Sequence, residues 1–174
     1  MDWWTISYRL PAEPSRWRVS AWRRLKRGGA VALQQATWSF PAGQQFDPMV
    51  DDVVALVAEA GGESFVFRGE PQGDTAGRLE EQFTAARNEE WTEFLGDCAK
   101  YDREIASEIA KGKFTYAELE EEEQTLERLR RWHRRIRTRD VFGSPHAAEA
   151  EVRLKEVAEA LERYADQVFD RGGT

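Results

Sequence analysis

Residues 30–41 read Ala30-Val31-Ala32-Leu33-Gln34-Gln35-Ala36-Thr37-Trp38-Ser39-Phe40-Pro41. Two short runs, Ala30 to Gln34 and Ala36 to Phe40, follow one another almost without a loop. Val31 and Leu33 alternate on the first and Trp38 and Phe40 on the second, the period of a hairpin with one buried face. Pro41-Ala42-Gly43 turns the chain away. Working outward, Pro14-Ser15 opens a helix that runs to Arg27, with Val19, Trp22 and Leu25 on one face and Gly28-Gly29 ending it. Before it, Trp3 to Leu10 is rich in aromatic and β-branched residues and stops at Pro11, as a strand does. On the other side, Asp47 as cap and Pro48 at the first helical position start a second helix to Ala60. Its apolar stripe is Val50, Val53, Val54 and Val57, and Gly61-Gly62 closes it. Ser64 to Arg68 is the last strand. The order β-α-β-β-α-β, with right-handed crossovers, predicts an α+β, ferredoxin-like four-stranded antiparallel sheet with both helices on one face.

Beyond Pro71-Gln72-Gly73-Asp74 the chain changes character, so residues 1–70 are expected to form the α+β domain and 71–174 a helical region packed on it. Residues 1–70 are neutral, with eight basic and eight acidic side chains, and the remainder carries the whole formal charge of −7. A long helix is expected from Thr75 to Ala110, carrying Leu79, Phe83, Ala86, Trp91, Phe94, Leu95, Cys98, Tyr101, Ile105 and Ile109 at spacings of three and four. Thr115 followed by Glu118 is a capping box that starts a helix to about Thr138. Ser144-Pro145 caps a third, whose Ala147, Ala150, Leu154, Val157, Leu161, Tyr164 and Val168 keep a heptad spacing. That stripe has to be covered by neighbouring helices or by a second subunit.

The 174 residues, 41% hydrophobic and 33% charged, suit a folded, charge-rich protein. No apolar run approaches the roughly 18–20 residues that span a bilayer. Met1-Asp2-Trp3-Trp4 lacks the features of a signal peptide, so a cytoplasmic protein is expected. One cysteine excludes an internal disulfide, and with two histidines it leaves little for a metal site or acid–base catalysis. No phosphate loop, dinucleotide fingerprint, nucleophile elbow or zinc-protease motif occurs. Neither cofactor nor metal is therefore expected, and enzymatic activity is not.

Arginines offer the chemistry that remains. Arg9, Arg16, Arg18, Arg23, Arg24, Lys26 and Arg27 gather around Trp17 and Trp22. Guanidinium forks bind oxyanions bidentately, and a flanking indole stacks on a base or a cation. A tetrahedral oxyanion or a nucleic-acid backbone would suit this cluster; a merely solvated helix face is the alternative. A second run lies at Arg128, Arg130, Arg131, Arg134, Arg135, Arg137 and Arg139. Helix-dipole complementation and pairing to Glu121–Glu127 account for most of it. Arg134, Arg135 and Arg139 lie past the acidic block and are the ones expected to be free for a ligand. His133 is expected to be half-buried and hydrogen-bonded, His146 exposed, and Cys98 to pack as a small hydrophobe.

The segments Trp4 to Pro11, Arg16 to Leu25 (R-W-R-V-S-A-W-R-R-L), Lys26 to Val31 and Ala36 to Pro41 carry a further signal. With Glu80 to Phe83, Leu129 to Arg131 and Arg139 to Phe142, they resemble the N-terminal domain of the ChrB chromate-resistance family. The front half resembles, more remotely, the middle domain of PaaX-type repressors. It also resembles the ferredoxin-like CRISPR spacer-acquisition nucleases, but where those carry a metal-binding Asp this chain has Ser7-Tyr8-Arg9-Leu10, which argues against nuclease activity. The resemblance implies a regulator or sensor of chromate resistance that binds chromate or a similar oxyanion, DNA, or both. Family members usually carry a second, C-terminal domain that this sequence does not show, and the resemblance implies that chromate sensing or DNA binding depends either on that part or on a separate polypeptide. A non-catalytic module that forms a homodimer is the other reading, suggested by the heptad stripe.

Overall fold

The computed structural model describes residues 1–171. It is a mixed structure with a four-stranded antiparallel sheet and five helices. The elements follow as β1 (Trp3–Arg9), α1 (Arg16–Gly28), β2 (Val31–Gln34), β3 (Thr37–Pro41), α2 (Asp47–Glu59), β4 (Glu63–Gly69), α3 (Thr75–Lys111), α4 (Tyr116–Arg139) and α5 (Ala147–Asp170). The strand order is β2-β3-β1-β4. Strand β1 pairs antiparallel with β3, Ile6 facing Trp38, and with β4, Ile6 facing Val66. Two compact units divide the chain, Met1–Arg87 and the part from Asn88 onward. Helix α3 runs unbroken through the division, so its residues Thr75 to Arg87 belong with the sheet.

In the first unit, Ile6, Phe40, Phe46, Val53, Val57 and Phe83 are almost fully buried. Each such side chain contributes about 1.5–3 kcal/mol by leaving water. Phe83 of α3 meets Trp3 and Phe46 edge to face, at 5.9 and 5.8 Å between ring centres. Helix α1 ends as its glycines require: Gly29 sits at φ 90°, and its N–H turns back to the carbonyls of Leu25 and Lys26. A Cβ on Gly28 would lie 1.9 Å from Met49 Sδ, so a larger residue there would displace the Met49 side chain between α1 and α2.

Four local expectations for this unit are corrected. The buried face of α1 is Ala21 and Leu25, four apart, while Val19 and Trp22 are exposed. The short Ala21 lets the helix sit close, and the larger residues turn outward. On the hairpin, Leu33 is exposed, whereas Trp38, Ser39, Phe40 and Pro41 are all buried. Strand β3 is interior and covered on both faces, and the β2 register shifts between Ala32 and Gln34. Helix α2 buries Met49 and Leu56 along with Val50, Val53 and Val57, while Val54 is only half-buried. Asp47 does not cap that helix. Its carboxylate accepts from Trp4 Nε1 at 2.7 Å and from Gly43 N at 3.0 Å, fixing the turn after β3.

The second unit has one apolar core built by Trp91, Phe94, Cys98, Tyr101 and Ile105 of α3, Leu126, Leu129 and Ile136 of α4, and Val157, Leu161, Tyr164 and Val168 of α5. The α5 stripe is thus covered within the unit, and no second subunit is needed to bury it. Ile109 at the end of the α3 stripe is exposed. Thr115 accepts from Glu118 N at 3.2 Å, the expected cap. Residue His146, not Ser144, occupies the cap position of α5 and makes no side-chain cap there. Its N–H donates to Asn88 Oδ1 at 3.0 Å, while Ser144 Oγ donates to Asp140.

Candidate functional site: the arginine face of helix α1

Thirteen residues form α1, and the exposed side of the helix carries Arg16, Arg18, Val19, Trp22, Arg23, Lys26 and Arg27. At 100° per residue these fall on one continuous arc, with Trp22 and Val19 flanked by Arg18 and Arg23. Trp22 is 49% exposed although indole is among the most strongly buried side chains of folded proteins. The guanidinium groups of Arg18 and Arg23 make no hydrogen bond or ion pair with any described residue. Arg16 lies over the ring of Trp17 at 5.2 Å. Arg24 turns the other way and donates to the Asp52 carbonyl at 2.7 Å, tying α1 to α2. No acidic side chain occupies the helix. The face therefore presents positive charge around an exposed aromatic ring, with the Arg18 and Arg23 donors not engaged among the described residues. Such an arrangement can accept an anion or a row of phosphates.

The structure gathers Arg16, Arg18, Arg23 and Arg24 on one helix but sends Arg9 elsewhere. Its guanidinium pairs with Glu63 at 3.3 Å and lines a shallow cleft of about 340 Å³ with Leu10, Pro11, Gly61, Gly62 and Glu63. In the second unit the α4 run splits. Arg128 reaches Asp97 at 3.8 Å, Arg130 reaches Glu127 at 2.6 Å, and Arg137 pairs with Glu151. Most partners lie on other helices, not within α4 as the i,i+4 reading expects. Arg139 is not free: it is largely buried and held by Glu90 at 2.6 Å. Arg134 and Arg135 are exposed and their guanidinium groups unpaired among the described residues.

Two buried polar groups, Arg87 and Glu122, were not legible from local pattern, and a third, His133, is more deeply buried than its place beside the apolar face of α4 suggests. Arg87 is 3% exposed, donates to the Gly29 carbonyl at 2.7 Å and stands over the Phe83 ring at 4.7 Å. It thereby places a cation at the carboxyl end of α1, where the helix dipole favours one. His133 is buried, not half-buried, against Trp91 and Phe94, with ring centres 5.0 and 5.5 Å away. Its Nε2 has no hydrogen-bond partner, and burial lowers its pKa below the usual imidazole value. Glu122 is only 8% exposed. Burial first, then Glu104, Glu108, Glu118 and Glu121, push its pKa up to about 7. Cys98 is buried, and desolvation raises its thiol pKa to about 11.

Against known proteins, the family model described as "Protein ChrB, N-terminal" matches residues 18–173. The chain belongs to the ChrB N-terminal family. The match begins inside α1 and takes in Arg18, Arg23 and Arg24 as well as the whole of α3, α4 and α5. ChrB membership connects the chain with chromate resistance. No curated protein and no solved structure matches it. Among the described residues no helix is long and apolar enough to cross a membrane, and no group of three or more His, Cys, Asp or Glu side chains is arranged to hold a metal ion.

Proposed function

We propose that this ChrB-family chain is a regulatory or sensor component of chromate resistance that binds an oxyanion, DNA or both through the arginine face of α1. The observation that carries the reading is the pair Arg18 and Arg23, which have no hydrogen bond or ion pair among the described residues and lie on either side of the exposed Trp22. Chromate at neutral pH is a small tetrahedral oxyanion, and a phosphodiester presents similar oxygens, so the same forks serve both. Arg134 and Arg135 form a secondary candidate surface in the second unit. The order β2-β3-β1-β4 supports reading the front as ferredoxin-like, with α1 displayed beside the sheet.

A binding protein fits better than an enzyme. The thiol of Cys98 is buried and held protonated, and the His133 ring is enclosed by aromatic residues, so neither group serves a reaction with a solvent-borne substrate. A regulator that meets chromate and DNA together would act in the cytoplasm.

The test is thermal unfolding with millimolar chromate, sulfate or neither, at fixed ionic strength. A rise specific to chromate that disappears in Arg18→Ala/Arg23→Ala is the result expected of a sensor site. Equal rises with both anions direct the reading to phosphate and nucleic acid. No rise with either, together with no binding of duplex DNA, overturns it.

A further inference from the structure

Strand β4 is an edge strand: it pairs with β1 over seven residues and with no other strand. Along it, Glu63, Phe65, Phe67, Arg68 and Gly69 are exposed. Phe65 is 55% and Phe67 63% exposed, and their two-residue spacing places both rings on one face, beside Thr5 and Ser7 of β1. The opposite edge is managed differently. Strand β2 has four residues, a register shift between Ala32 and Gln34, and no exposed aromatic side chain. Short, bulged edges resist pairing with another chain, whereas a long regular edge with exposed aromatic residues invites it.

The β4 sequence is also self-complementary. In an antiparallel pairing of two copies about a two-fold axis at Val66, residue 66 faces 66, Phe65 faces Phe67 and Ser64 faces Arg68. Both phenylalanine pairs fall on the same face, and such aromatic cross-strand pairs are a main stabilising unit of sheets. The charged residues near the ends do not oppose this register. Glu63 is already paired with Arg9 at 3.3 Å and Arg68 with Asp2 at 3.1 Å. No like charges face each other across the seven positions. We infer that β4 is the contact surface for a second copy of this chain, which joins two four-stranded sheets through an antiparallel β4–β4 pair centred on Val66. A closed two-fold contact of this kind uses one patch on both partners. It is independent of the α1 reading.

Sedimentation across the micromolar range is the first measurement, on the full chain. A species of twice 20.0 kDa is expected, and Phe65→Lys/Phe67→Lys, at exposed positions, reduces it to the monomer with an unchanged circular dichroism spectrum. The register is tested separately by mild oxidation. Val66→Cys faces its own copy and forms an intermolecular disulfide. Ser64→Cys, about 13 Å from its own copy in this register, does not. Cys98 is buried and stays out of both reactions. A monomer throughout, a dimer that survives the lysine pair, or equal cross-linking by both cysteines overturns the inference. So does an unchanged mass with weakened oligonucleotide binding, which would make the two phenylalanines a stacking platform for bases instead. Arg18→Ala/Arg23→Ala leaves the mass unchanged, so failure here is distinguishable from failure of the α1 site.

Discussion

Helices α1 and α4 are both rich in arginine, yet the side chains do different work. On α4, Arg128, Arg130, Arg137 and Arg139 each meet a carboxylate, three of them on another helix. On α1, Arg18 and Arg23 meet none among the described residues. Arginine is frequent in both places, but α4 also carries glutamates and packs against helices that supply carboxylates, whereas α1 has no acidic residue of its own. An arginine that the fold already uses is structural, and one it leaves unsatisfied beside an exposed tryptophan is available for recognition.

The sharpest break in that comparison comes from the buried arginine that fixes α1 itself. Arg87→Ala removes the donor to the Gly29 carbonyl and the cation over Phe83, and should cost about 3 kcal/mol in urea unfolding. Arg139→Ala removes the 2.6 Å ion pair to the half-buried Glu90 and should cost about 2 kcal/mol in the same assay. Arg18→Ala/Arg23→Ala should change stability by less than about 0.5 kcal/mol. Its binding to duplex DNA should weaken roughly tenfold, as measured by fluorescence anisotropy at low salt. A large loss of stability from that pair would place Arg18 and Arg23 among the structural arginines.

A smaller effect concerns the acidic end of α4. Glu122 titrates near pH 7 in the folded chain, well above an unfolded glutamate. The folded state therefore holds more protons than the unfolded state between those two pKa values. Stability from this group is full below the unfolded pKa and declines as pH rises through about 7. Glu122→Gln should flatten that part of the stability–pH curve and raise the melting temperature at pH 8. An identical curve for the variant would mean that Glu122 ionises without cost.

How much of this was readable from the chain depends on how local the signal is. The nine elements were legible, because Pro, Gly and capping residues punctuate them. Pro11, Gly28-Gly29, Gly61-Gly62 and Thr115 each mark a boundary within one or two residues of the observed end. The facing of α1 was not, since Val19, Trp22 and Leu25 at spacings of three and Ala21 with Leu25 at four describe competing stripes. Side-chain volume and the fit against α2 decide between them. Asp47 looked like a cap, but its partners, Trp4 and Gly43, favour the turn. Arg87 was invisible because the carbonyl it meets lies 58 residues away. The same limit explains Arg139, which sequence left free and Glu90 claims. For the candidate site, sequence identified the arginine cluster, while the structure separated Arg9 and Arg24 from the unengaged Arg18 and Arg23.

The salt dependence of DNA binding tests the contrast between the two helices most directly. Wild type, Arg18→Ala/Arg23→Ala and the charge-matched Arg128→Ala/Arg130→Ala would be titrated with the same duplex across a range of salt. The account predicts that the slope of log affinity against log salt flattens by about two for the α1 pair and is unchanged for the α4 pair. Equal flattening by both pairs would show that DNA responds to net charge alone, and would contradict the assignment of recognition to α1.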